Sequence, residues 1–181
     1  MTPIASFASA AGPWQTFYVL VGTAAATLIG LMFVAITFGA SLVTRQTSES
    51  ARAFLDPTFT HFVQVLLTAC LITIPTMGPT LAGVLLLAIG ALRTAALFWI
   101  FRHMREAHRT HHDIELSDWL IGIAVPLLCH LLLGAAGACF LEGYAAAFNV
   151  LAIATIAVLL NGVFSAWELI LWMAETRGRT S

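Results

Sequence analysis

Apolar residues in this chain fall into five long runs, at about residues 17–43, 58–76, 80–101, 118–141 and 145–173. A helix needs roughly 20 apolar residues to cross the hydrocarbon core of a bilayer. Each run comes close to that length or exceeds it, so the pattern predicts an all-α transmembrane bundle of five helices. The first run is long enough to require tilt or an extension beyond the membrane. The chain is expected to form one bundle, because no repeat, low-complexity stretch or long linker divides it.

The polar residues between the runs supply start and stop signals. Asp56 before Pro57 reads as an N-cap with proline at the first helical position, and Ser117 plays the same part before Asp118 and Trp119. Pro75 and Gly78-Pro79 end the second helix and force a tight turn. Gly143 permits another between the fourth and fifth helices. Helices two and three, and helices four and five, are therefore expected to be antiparallel neighbours.

Charge decides orientation. The chain has no lysine and eight arginines, and seven of these sit in three connections. Arg45 and Arg52 follow the first run. Arg102, Arg105 and Arg109 follow the third, and Arg177 and Arg179 lie in the C-terminal segment. The other connections hold none. Basic residues stay on the cytoplasmic side, so the N-terminus is expected outside and the C-terminus in the cytoplasm. Trp14, Trp99, Trp119, Trp167 and Trp172 lie near the expected interfaces, where an aromatic belt anchors helices.

Composition agrees with this picture. The 181 residues are 60% hydrophobic and 9% charged, against about 25% charged in a soluble domain. The first residues lack a basic start, so the first run is expected to be a permanent span and not a cleaved signal. Cys70, Cys129 and Cys139 all lie within apolar runs and read as small hydrophobes. The lipid bilayer is the expected surrounding, and no nucleic-acid partner or cofactor is expected.

A charge placed in a span costs about 2.5–3.5 kcal/mol on insertion scales. Arg93 lies nine residues before Arg102, roughly 13 Å deep at the rise of a helix. Glu168 lies at a shallower level on the same side. The two can form a structural ion pair or supply the charge of a gate or binding site. His61, Gln64 and Thr68 share one face of the second span. Asn161, Ser165 and Glu168 share a face of the fifth, and Pro126, His130, Gly134 and Gly137 a face of the fourth. Hydrocarbon offers polar groups no partner, so these stripes are expected to face the interior. His61, Gln64, Arg93, His130, Asn161 and Glu168 would form a cluster opening toward the cytoplasm. Interhelical hydrogen bonding is the plain alternative. Gly22, Ala26 and Gly30 form a ridge that admits another helix closely, within the bundle or between subunits.

The connection RHMREAHRTHHDIELSDW brings His108 and His112 to a spacing of four, with Asp113 beside them. That spacing can hold a transition metal. No second ligand set is fixed in space, and a solvated juxtamembrane helix accounts for it equally, so no metal site is assigned. A histidine loop can also respond to protons. The sequence carries no HExxH, GxSxG, Walker, Rossmann or paired CxxC pattern. No catalytic residue is assigned, although a lipid-modifying or metal-dependent membrane enzyme is kept as an alternative.

The opening WQTFYVLVGTAAATLIGLMFVAITF resembles the first span of small bacterial multi-pass inner-membrane proteins of unknown function. Pro57, Thr58 and His61 fit the pattern, as do Asn161, Ala166, Trp167 and Glu168. The resemblance covers most of the chain. It implies five helices in a bacterial inner membrane and no particular activity. Two function classes follow from the residues. One is a homo-oligomeric channel or transporter for ions, protons or small solutes. The other is a non-conducting protein that regulates or assembles another membrane complex.

Overall fold

The computed structural model describes residues 7–39, 48–107 and 124–180, and is all-α over them. A short helix α1 (Phe7–Ala11) and a 3-10 turn (Gly12–Trp14) lead into α2 (Gln15–Gly39). Then come α3 (Ser48–Thr73), α4 (Pro79–Ala107), α5 (Val125–Leu141) and α6 (Ala147–Thr180). Segments Phe7–Phe38, Leu55–Thr73, Pro79–Trp99 and Ala147–Leu171 are each long and apolar enough to cross a membrane. The described part of the fourth expected span, α5, is a shorter apolar helix of 17 residues. At 1.5 Å per residue it covers about 25 Å; residues 118–123 of that span lie outside the described residues. The chain is thus compatible with a multi-pass membrane protein.

Two boundary expectations are corrected. Pro57 does not open the second helix but sits inside α3, which begins at Ser48. The Asp56 carbonyl accepts the Thr60 hydroxyl, so Asp56 is part of the helix and not its cap. Proline inside a helix removes one backbone bond, and the helix-compatible run SESARAFLD continues through that single loss. Helices α4 and α6 also run past their expected ends, to Ala107 and Thr180. The expected cap at Ser117 lies outside the described residues.

The chain divides into two compact units, Met1–Gln15 with Leu71–Ala157, and Thr16–Cys70 with Val158–Ser181. The division falls within α3 and α6.

In the first unit the turns behave as the sequence suggests. Helix α3 stops at Thr73 before Pro75, and Pro79 opens α4. Gly143 adopts φ +71°. There the Tyr144 N–H donates to the Cys139 carbonyl and the Gly143 N–H to the Phe140 carbonyl. This is a Schellman closure, which needs a left-handed residue at the position of Gly143. Phe7, Phe140 and Phe148 form a buried aromatic cluster with centroids 4.9–5.6 Å apart. Trp14 stacks on Phe148 at 6.3 Å, so this tryptophan packs against protein. By contrast Trp99 and Trp167 are exposed.

Helices α4 and α5 pack antiparallel at very close range. A Cβ on Gly137 would lie 2.8 Å from the Gly83 carbonyl oxygen and 2.8 Å from the Leu87 nitrogen. One on Gly90 would lie 3.1 Å from the Gly134 nitrogen and from the His130 carbonyl oxygen. Only hydrogen fits there, so the two backbones touch. The stripe Pro126, His130, Gly134 and Gly137 is therefore corrected: what it presents to α4 is a close-packing surface. Small residues bring helices together where lipid leaves no hydrophobic drive between them.

In the second unit, α2 and α3 are antiparallel neighbours. A Cβ on Gly22 would sit 2.9 Å from the Ala69 Cβ, and Phe33 meets Phe59 edge-on at 6.1 Å. The ridge of Gly22, Ala26 and Gly30 divides. Gly22 is buried against α3, whereas Ala26 and Gly30 are exposed, with nothing within 4 Å of a Cβ on Gly30. The reason is helical pitch: residues eight apart drift about 80° around a helix with 3.6 residues per turn. Thr23, Thr27 and Thr37 donate at 2.8 Å to carbonyls four residues back. Their hydroxyls are thereby satisfied on a face rich in exposed Val, Leu and Phe.

Candidate functional site

The polar face of α3 is the clearest departure from an apolar interior. Thr58, His61, Gln64 and Thr68 are each 5% exposed or less. Their spacings of three, three and four keep them on one side of the helix. The rest of that side is Phe62, Val65 and Ala69, also buried. A helix with this pattern cannot turn its polar side to hydrocarbon without losing hydrogen bonds.

One partner comes from α6. Asn161 Nδ2 lies 3.1 Å from His61 Nε2 in a buried contact. Gly162 makes the approach possible, because a Cβ there would lie 2.8 Å from the Phe62 ring and 3.1 Å from the His61 Cβ. The Ser165 hydroxyl donates to the Asn161 carbonyl at 3.1 Å, one turn further on. Glu168 is half-buried on the same helix, two turns from Asn161.

Gln64 differs from its neighbours. Both its amide nitrogen and its carbonyl oxygen are buried without a hydrogen-bond partner. So is the hydroxyl of Tyr18 on α2, whose residue is fully buried. Tyr18 was not among the sequence-derived candidates. A phenol at spacing seven from Ala25, and again from Met32, was the available signal, since all three are buried. Gly162 was also missed, because a glycine next to an asparagine has no distinctive sequence signature.

The six expected cluster residues are distributed over both units. His61, Gln64, Asn161 and Glu168 belong to the second, and His61 and Asn161 meet directly. Arg93 and His130 belong to the first. Arg93 is half-buried and its Nε is buried without a hydrogen-bond partner. His130 is 2% exposed beside α4. Of the cysteines only Cys129 is buried; Cys139 is half-buried, and Cys70 is exposed, contrary to the expectation of burial for all three.

The weak metal candidates His108, His112 and Asp113 lie outside the described residues. Among the described residues no group of three or more histidine, cysteine or acidic side chains is placed to hold a metal ion. Chemically, the α3–α6 site offers amides, hydroxyls and one imidazole. It has no nucleophile–base pair and no paired carboxylates for acid–base work. Neither a family model nor a curated protein nor a solved structure matches the chain.

Proposed function

We propose that this protein is a bacterial inner-membrane permeation protein, acting as a homo-oligomer on an ion, a proton or a small solute. The observation that carries the proposal is the buried face of Thr58, His61, Gln64 and Thr68 on a helix apolar enough to cross a membrane. Polar groups inside a span are costly and mark transport routes more often than they mark simple packing. The placement of seven arginines in alternate connections supports an outside N-terminus and a cytoplasmic C-terminus. In that orientation His61, six residues into the Leu55–Thr73 segment, lies toward the cytoplasmic side. The resemblance of the opening span to small bacterial multi-pass proteins supports the location.

Flux from reconstituted liposomes tests the proposal. Protein-containing vesicles are expected to pass a solute or ion that protein-free vesicles retain, and Glu168→Ala is expected to change that rate. Equal leak for wild type and Glu168→Ala counts against it. Accessibility labelling of the two chain ends tests orientation, and labels in one compartment would refute it.

A second reading is a non-conducting partner of another membrane complex. It is favoured by the exposed small residues Ala26 and Gly30 on α2, which let a second helix come close. Cross-linking in native membrane separates the two. A single stoichiometric foreign partner supports this reading, and recovery of the chain with itself alone supports the first.

A further inference from the structure

The second unit contains an amide with nothing to bond to. Gln64 is 5% exposed, and neither its donor nor its acceptor is used. Buried polar groups are nearly always hydrogen-bonded, so a vacant pair on one side chain calls for an occupant. One turn away, Asn161 presents its amide nitrogen to His61 Nε2. That nitrogen donates, so Nε2 accepts and the imidazole is neutral, with its proton on Nδ1. Protonating Nε2 would set two donors against each other. The other buried polar side chains of the described α3 face, Thr58 and Thr68, are uncharged hydroxyls. The half-buried Glu168 lies seven residues from Asn161, roughly 10 Å along α6. The surroundings of Gln64 thus mix donors and acceptors without formal charge.

Such a site discriminates by charge. An ion would lose its hydration with no opposite charge to replace it. A small neutral solute would exchange water for the carboxamide at much lower cost. The group that matches a carboxamide best is another carboxamide, whose N–H donates to Oε1 while its carbonyl accepts from Nε2. We propose that Gln64 docks a small neutral amide of the urea class, and that the Asn161–His61 contact keeps the neighbouring imidazole uncharged. This assignment rests on the permeation proposal and narrows its substrate.

The test is stopped-flow light scattering of proteoliposomes against urea and acetamide gradients, with potassium, proton and water permeability measured on the same vesicles. The expected result is urea and acetamide permeability several-fold above protein-free vesicles, with potassium and proton leak unchanged. Gln64→Leu is expected to return amide permeability to the protein-free level, with Gln64→Asn intermediate. If Gln64→Leu does not fold, Gln64→Met removes the amide while keeping a long flexible chain. Potassium, proton or water flux without amide flux overturns the amide assignment and leaves permeation standing. Absence of every flux overturns both. Full amide flux in a folded Gln64→Leu protein overturns the role of Gln64, and the wild-type selectivity is decisive without any variant.

Discussion

Helices α4 and α5 in one unit, and α3 and α6 in the other, associate by opposite chemistry. The first pair meets backbone to backbone across Gly83, Gly90 and Gly137, where a methyl group has no room. The second pair meets through Asn161 and His61, beside an amide that bonds to nothing. Close glycine contact gains dispersion and weak Cα–H contacts and leaves nothing unsatisfied. The polar contact gains about 0.6 kcal/mol on average, and next to it the vacant Gln64 amide is a standing cost. Stability alone therefore explains the first pair and not the second. A surplus of buried polarity over hydrogen bonds is what a site for a ligand leaves behind when the ligand is absent.

Substitutions at the two places should separate them. The largest effect is expected for Gly137→Leu, which must push α5 off α4 and should cost about 3 kcal/mol as overpacking against fixed backbone. Unfolding by denaturing detergent in bicelles measures it, and a change under 1 kcal/mol would mean that α4 and α5 are not in backbone contact. Asn161→Leu should cost about 1 kcal/mol, because it strands the His61 nitrogen in an apolar interior. The same titration reads it, and an unchanged midpoint would show that the contact is not formed in the membrane.

Gln64→Leu should go the other way. Removing an unsatisfied amide is expected to be neutral or to stabilise by up to about 1 kcal/mol, while abolishing the proposed amide flux. A clear loss of stability would mean that Gln64 has a structural partner in the bilayer, and the contrast between the two helix pairs would fail. The smallest effect is expected for Gly134→Ala. It lies on α5, but nothing is within 4 Å of its Cβ, so helix propensity alone should stabilise by at most about 1 kcal/mol. Circular-dichroism melts of the Gly134→Ala and Gly137→Leu proteins then compare an open and a closed glycine three residues apart.

Much of the site was legible before any coordinates. His61, Gln64 and Thr68 stand out because a helix cannot hide polar residues at such spacing except on one face. Asn161 stands out for the same reason on α6. The extension of α3 back to Ser48 was not legible, since Asp-Pro is also the commonest way to begin a helix, and one lost backbone bond does not end a helix by itself. The stripe on α5 was misjudged as polar, because a glycine looks the same in sequence whether it gives way to a ligand or to a neighbouring backbone.

The order of the residues determined that this chain is helical and suited to lipid, because apolar run length and hydrogen-bond satisfaction in hydrocarbon are local properties of a segment. It also determined which positions are polar within those segments. Tertiary structure decided which polar groups find partners and which stay vacant, and which glycines are contact points. Those depend on distances of a few tenths of an ångström between residues up to 100 positions apart, and no local pattern encodes them.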